Sequence, residues 1–324
     1  MIRWKLFWIA LFYSCASFAD SNQFDTTVIK NKLDHVQSDS EKVKLLIEWS
    51  FYETNIKTGI QKANEAIILS RKINYKRGEA SAMVQLAAQY RAAGNFEMAL
   101  QLASKSIQLK EELGDINGLP SSYNMLGIIY KEIGDGNKAI NYFKKAISFL
   151  PENETKSNLY KKAVIFGSLG RSYTIIGNND SALFYYQRSY ENFEKSKNYY
   201  QLNLALSGLG DIQFKQGNNE LALGYYRAAL QNCELFPDNL GLIDTYLRLT
   251  KLFSSSLNDS AQYYGEKGIV LSMEAKDFQA TNEFAFLLYK SCDASNSYGR
   301  LKWLEISRNA LEDRKSTRRT PVTL

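Results

Sequence analysis

The sequence is poor in histidine, proline and cysteine, and each shortage removes a class of function. His35 is the only histidine in 324 residues. That takes away most metal clusters, the usual acyl-transfer triads and the commonest general base. Four prolines are too few for the turn-rich chain of a β-sandwich or barrel, so helix is the expected state. Three cysteines, Cys15, Cys233 and Cys292, do not make a disulfide framework, and the last two are expected as free thiols. No phosphate-cradling GxxxxGK loop occurs, because the glycines come singly. Carboxylates are plentiful, but they alternate with lysines as on solvated helix faces, and no acid–base pair stands apart. A non-enzymatic protein without metal or cofactor is expected.

What remains is ample for a folded core, with 45% hydrophobic and 23% charged residues. Residues 1–19 have the three parts of a secretory signal. Arg3 and Lys5 give the positive start, Leu6 to Tyr13 an apolar run too short to span a bilayer, and Ser17-Phe18-Ala19 the small residues of a cleavage site. Cleavage after Ala19 predicts a periplasmic or secreted protein. The alternative is a lipoprotein anchored at Cys15, although Phe12 and Tyr13 stand where smaller residues are wanted. Removing the signal leaves 38 basic against 34 acidic residues, a mild balance dispersed along the chain, and no nucleic-acid partner is expected. No later run of apolar residues is long enough for a membrane span. Arg314, Lys315, Arg318 and Arg319 cluster near the end, and 313–324 is expected as a basic flexible tail.

Self-similarity is the dominant signal. Leu86 to Tyr90, Gly94-Asn95 and Ala99 align with Leu126 to Tyr130, Gly134-Asp135 and Ala139. The same frame recurs at Leu169 to Tyr173, Gly177-Asn178 and Ala182, and at Leu209 to Gln213, Gly217-Asn218 and Ala222. The glycines recur at intervals of 40, 43 and 40 residues, a period in the solenoid range. Leu, a small neighbour and Tyr put an apolar stripe with a notch on one helix. The glycine ends that helix in a left-handed cap, and the following Asn or Asp is placed to N-cap the next. Ala99, Ala139, Ala182 and Ala222 are expected to meet the notch from the second helix. Aromatic pairs at Tyr142-Phe143, Tyr185-Tyr186, Tyr225-Tyr226 and Tyr263-Tyr264 are expected to pack between repeats with their hydroxyls near the surface.

Weaker copies flank the four. Val43 to Phe51 with Gly59 to Ile73 reads as a pair upstream. Leu249, Phe253 and Ala261 continue the period downstream with Leu257 in the glycine's place, and Phe278 to Ser291 with Tyr298 to Asp313 makes a last pair. The expectation is an all-α, right-handed α-α superhelix of about seven helix pairs over 41–312. Residues 20–40 precede it with one short helix over Asp25 to His35.

These residues resemble the tetratricopeptide repeat family, whose pattern is met most fully by Leu126, Gly127, Tyr130, Ala139, Phe143 and Ala146. Asp39 to Leu46 and Lys110 to Asp115 look like the periplasmic repeat regions of bacterial sensor histidine kinases and membrane-bound regulators. In those proteins the array leads into a membrane helix and an output domain, and neither follows here. The resemblance implies a protein- or peptide-binding scaffold in the bacterial envelope, or alternatively a sensory input module. It places groove positions on the first helix of each pair, including Arg91, Asn124, Lys131, Arg171, Asp211, Phe214 and Lys251. The family's Lys-Asn-Arg clamp for a peptide carboxylate is not expected, since Asn124 is one place off its position and Val164 and Ser168 occupy the matching places in the next repeat.

Overall fold

A computed structural model gives the structure of residues 26–199, 201–254, 259–293 and 295–319, with those from 314 onward as backbone alone. The described residues form fifteen α-helices and no strand. They divide into two compact units at Leu150 and Pro151. The signal-like segment 1–19, Leu257 and residues 320–324 lie outside the described residues.

The first unit holds α1 (Thr26–His35), then three pairs: α2 (Asp39–Tyr52) with α3 (Ile56–Lys72), α4 (Lys76–Ala92) with α5 (Phe96–Glu112), and α6 (Leu119–Ile133) with α7 (Gly136–Ser148). The second unit holds four: α8 (Lys156–Ile175) with α9 (Asn179–Ser196), α10 (Leu202–Lys215) with α11 (Asn219–Leu235), α12 (Asn239–Phe253) with α13 (Asp259–Glu274), and α14 (Phe278–Ser291) with α15 (Ser297–Arg319). The last helix continues to Arg319. The basic stretch expected as flexible from 313 is therefore helical to that point, consistent with helix-favouring Leu, Glu, Arg and Lys and no proline before Pro321.

Within each unit a helix packs on the next in sequence, and first helices also pack on first helices: α2 on α4 and α4 on α6, then α8 on α10, α10 on α12 and α12 on α14. The turns explain the regularity. Gly94, Gly134, Gly177 and Gly217 have φ of 76°, 92°, 77° and 81°. An added Cβ at any of them would meet nothing within 4 Å, so backbone conformation, and not space, selects glycine. Asn95, Asp135 and Asn178 then cap the following helix by accepting from the amides of Met98, Lys138 and Ser181. Asn218 does not cap; its amide turns aside to the Gln213 side-chain oxygen at 3.0 Å.

The notch is filled differently from the sequence expectation. Ala99, Ala139, Ala182 and Ala222 are completely buried, but the rings of Phe143, Tyr186 and Tyr226 are what press on the small residues of the first helices. A Cβ on Gly127, Gly170 or Gly210 would fall 2.6, 2.7 and 2.5 Å from them. Volume is conserved across the two positions. Where the first helix carries Ala87 the second carries Ala103, both buried in one cluster; at Gly265 of α13 the space is taken by Leu288 of α14, 2.7 Å from where a Cβ would stand. Tyr264, and not Tyr263, therefore occupies the first aromatic position of its pair. It stacks on Phe253 at 5.9 Å as Tyr142 stacks on Tyr130 at 5.3 Å and Tyr185 on Tyr173 at 5.2 Å, while Tyr263 is exposed. These stacks join the two helices of one pair. Contact with the following pair comes from Tyr186, whose ring also lies against Gly208 of α10.

Candidate functional site

Side-by-side first helices give each unit a wall, and the expected groove residues divide between them. In the first unit Arg91 of α4 reaches across to α6, where its Nη1 donates to Glu132 Oε1 at 2.6 Å. The Arg91 Nε and Asn124 Oδ1 atoms are buried and have no hydrogen-bond partner. Asn124 and Lys131, seven residues apart on α6, are both half-buried. Val84 and Ala88, on α4 with Arg91, pack against the core cluster that α4 shares with α5 and α6. The wall of this unit is thus a shallow polar surface on an apolar bed.

In the second unit Arg171 and Lys251 are exposed on α8 and α12. Asp211 of α10 lies between them and is engaged. It accepts from the Tyr226 hydroxyl at 2.8 Å and from Arg248 Nε at 2.9 Å, and Arg248 also pairs with the Asp244 carboxylate. Burial alone would favour a neutral Arg248, but Asp244 and Asp211 outweigh it and hold the guanidinium firmly charged. Tyr226 is pushed up first by burial and then by the Asp211 carboxylate, so it stays a neutral donor. Phe214 packs half-buried against the cluster of Ala222, Tyr226, Leu249 and Leu252, which makes it a packing residue before it is a contact residue. Arg248, Asp244 and Glu132 belong to these walls and periodicity did not single them out. Only Asp244 and Arg248, four apart on one helix, leave a local trace.

Lys110 is buried where α5 meets α6, and its Nζ donates to Gly118 O, Ser121 Oγ and Ser122 Oγ at 2.9, 2.9 and 2.8 Å. Burial draws it down to about 8, partly opposed by Asp115. Cys233 is buried and pushed up to about 12, chiefly by burial and then by Asp238, which makes it a poor thiolate. Cys233 and Cys292 are both free. His35 bonds its own helix through Nδ1 and Asn31 O at 2.7 Å. Among the described residues no three His, Cys, Asp or Glu side chains are placed to hold a metal ion, and no helix is long and apolar enough to cross a membrane.

Residues 78–152 match the tetratricopeptide repeat family model. Solved structures align over far more of the chain. The apo quorum sensor NprR from B. thuringiensis aligns at TM-score 0.67 and 13% identity, over 90% of this chain and 83% of its own. A Rap protein complexed with competence and sporulation factor aligns at 0.65 and 14%, over 90% and 82%. The Rap conjugation gene regulator of plasmid pLS20, in complex with the Phr* peptide, aligns at 0.60 and 16%, over 89% and 85%. The fold is that of a tetratricopeptide-repeat solenoid. At these identities the likeness concerns the fold alone. No curated protein sequence matches the chain.

Proposed function

We propose that this solenoid is a non-enzymatic scaffold that holds a segment of another protein or a peptide against its first-helix walls. The observation that carries the reading is the wall itself: α8, α10, α12 and α14 lie side by side, with Arg171 and Lys251 exposed beside the Asp211–Arg248–Asp244 cluster. A surface of this kind offers many modest polar contacts on a rigid bed, as suits an extended ligand. Two of the structurally similar proteins are held in complexes, one with competence and sporulation factor and one with the Phr* peptide. The signal-like residues 1–19 support an envelope location, with signal cleavage near Ala19 or a lipid anchor at Cys15. The repeat region is read as 41–312.

Affinity capture from an envelope fraction tests this with three baits: the parent chain, a variant with Arg91, Asn124 and Lys131 changed to Ala, and one with Arg171 and Lys251 changed to Ala. Loss of one captured protein with either variant assigns the wall. Retention of the same protein by both variants places binding on another face and sinks the wall reading. A second reading, a sensory input module working with a separate kinase or regulator, is favoured by the likeness to a quorum sensor and a gene regulator. It predicts that the captured protein is a membrane kinase or a transcription regulator.

A further inference from the structure

The last helix of the second unit is apolar on two opposite sides. One side packs on α14, with Trp303 and Ala310 only 5% and 4% exposed and Ile306 half-buried beside them. The other carries Tyr298, Leu301, Leu304 and Leu311, which are 83%, 64%, 46% and 41% exposed. At about 100° per residue the two sets are centred roughly 160° apart, so no single packing surface covers both. A helix at the end of a stack is expected to turn a polar face to water, and this one presents an apolar stripe interrupted by Arg308.

We propose that this stripe is a dimer seam, in which α15 pairs antiparallel with α15 of a second copy of the chain about a two-fold axis that crosses the stripe at the height of Ile306. Leu301, Leu304, Arg308 and Leu311 are spaced three, four and three apart, the repeat that keeps one seam facing a partner helix. The charges then choose the occupant and its direction. A parallel pairing sets Arg308 against Arg308 and Glu305 against Glu305. The antiparallel pairing sets Leu301 against Leu311 and lays the Arg308 stem over Leu304. Its guanidinium then falls beside Glu305 of the second copy, and two-fold symmetry makes that pair twice. Within one chain Glu305 and Arg308 stand a turn apart, both exposed, and neither enters an ion pair among the described residues. Because one helix carries both charges, the stripe is complementary in charge to another copy of itself. A contact about 20 Å long buries on the order of 1,000 Å², the low end for a specific interface, as suits a weak association.

Sedimentation equilibrium of the full chain, from about 1 to about 300 µM, tests the proposal. The expected result is a concentration-dependent doubling of mass. Leu304→Glu should raise the dimer dissociation constant at least tenfold, with helical content and thermal midpoint unchanged. Arg308→Glu and Glu305→Arg should each weaken association, and the double variant carrying both should restore it, a result that does not depend on a leucine variant folding well. A chain that stays monomeric throughout, or a dimer indifferent to the charge exchange, overturns the proposal.

Discussion

Gly127 and Gly134 stand seven residues apart in the sequence and are required for unrelated reasons. Gly134 has φ of 92° with open space around it, so Gly134→Ala should cost about 1 kcal/mol through the backbone alone, whatever its neighbours are. Gly127→Ala drives a methyl to 2.6 Å from the Phe143 ring and should cost about 1–3 kcal/mol. Adding Phe143→Leu should recover much of that loss and do nothing for Gly134→Ala. Urea titrations of the four variants measure this, and equal rescue of both glycine variants would show that the notch is not the cause. Lys110 gives a pH signature. Its ammonium holds its proton less tightly folded, at about 8, than at the ordinary 10.5. The unfolded chain therefore binds more protons between these values, and this group's contribution to stability rises with pH across that window. It is fully present above 10.5 and lost as pH falls through about 8. Lys110→Met should remove that rising part from the profile of unfolding free energy against pH; a profile left unchanged refutes the assignment. The glycines were legible in the sequence because a left-handed turn admits few other residues. The buried state of Lys110 was not, because its acceptors are set by how α5 meets α6.

Helix ends were almost as legible, and their exceptions are informative. Asp135 accepts from the Lys138 amide at 3.0 Å, and Asp135→Ala should lower the melting free energy by about 1 kcal/mol. Asn218 stands at the matching place but makes no such bond, so Asn218→Ala should cost clearly less, by the same thermal or urea measurement. Equal losses would mean that the cap bond contributes nothing at Asp135. The sequence could not separate these two residues, because Gln213 competes for Asn218 only through a side chain on the preceding helix. The same limit misplaced the fourth aromatic pair. Two adjacent tyrosines suggest Tyr263-Tyr264, whereas the three-residue step from buried Ala261 to Tyr264 repeats that from Ala139 to Tyr142. Gly265 then stands at the ring position, and its space is taken by Leu288 of α14.

At the scale of the molecule, the two units are joined through residues 151–155, of which Glu152 to Thr155 are exposed and none is helical. Brief digestion with a glutamate-specific protease should cut first after Glu152 or Glu154, leaving two helical fragments. An earliest cut inside a helix pair would contradict the division. The walls were legible as a face, since the first helices follow from the period. Which of their charges are already engaged was not, because Asp211 meets Arg248 from 37 residues away and Arg91 meets Glu132 from 41. Within each unit every helix touches only the next helix or the next but one. No early segment therefore waits for a distant one. A chain emerging end-first from a ribosome or a pore can close each pair as soon as its second helix is out, and the folded pairs then act as a ratchet against sliding back.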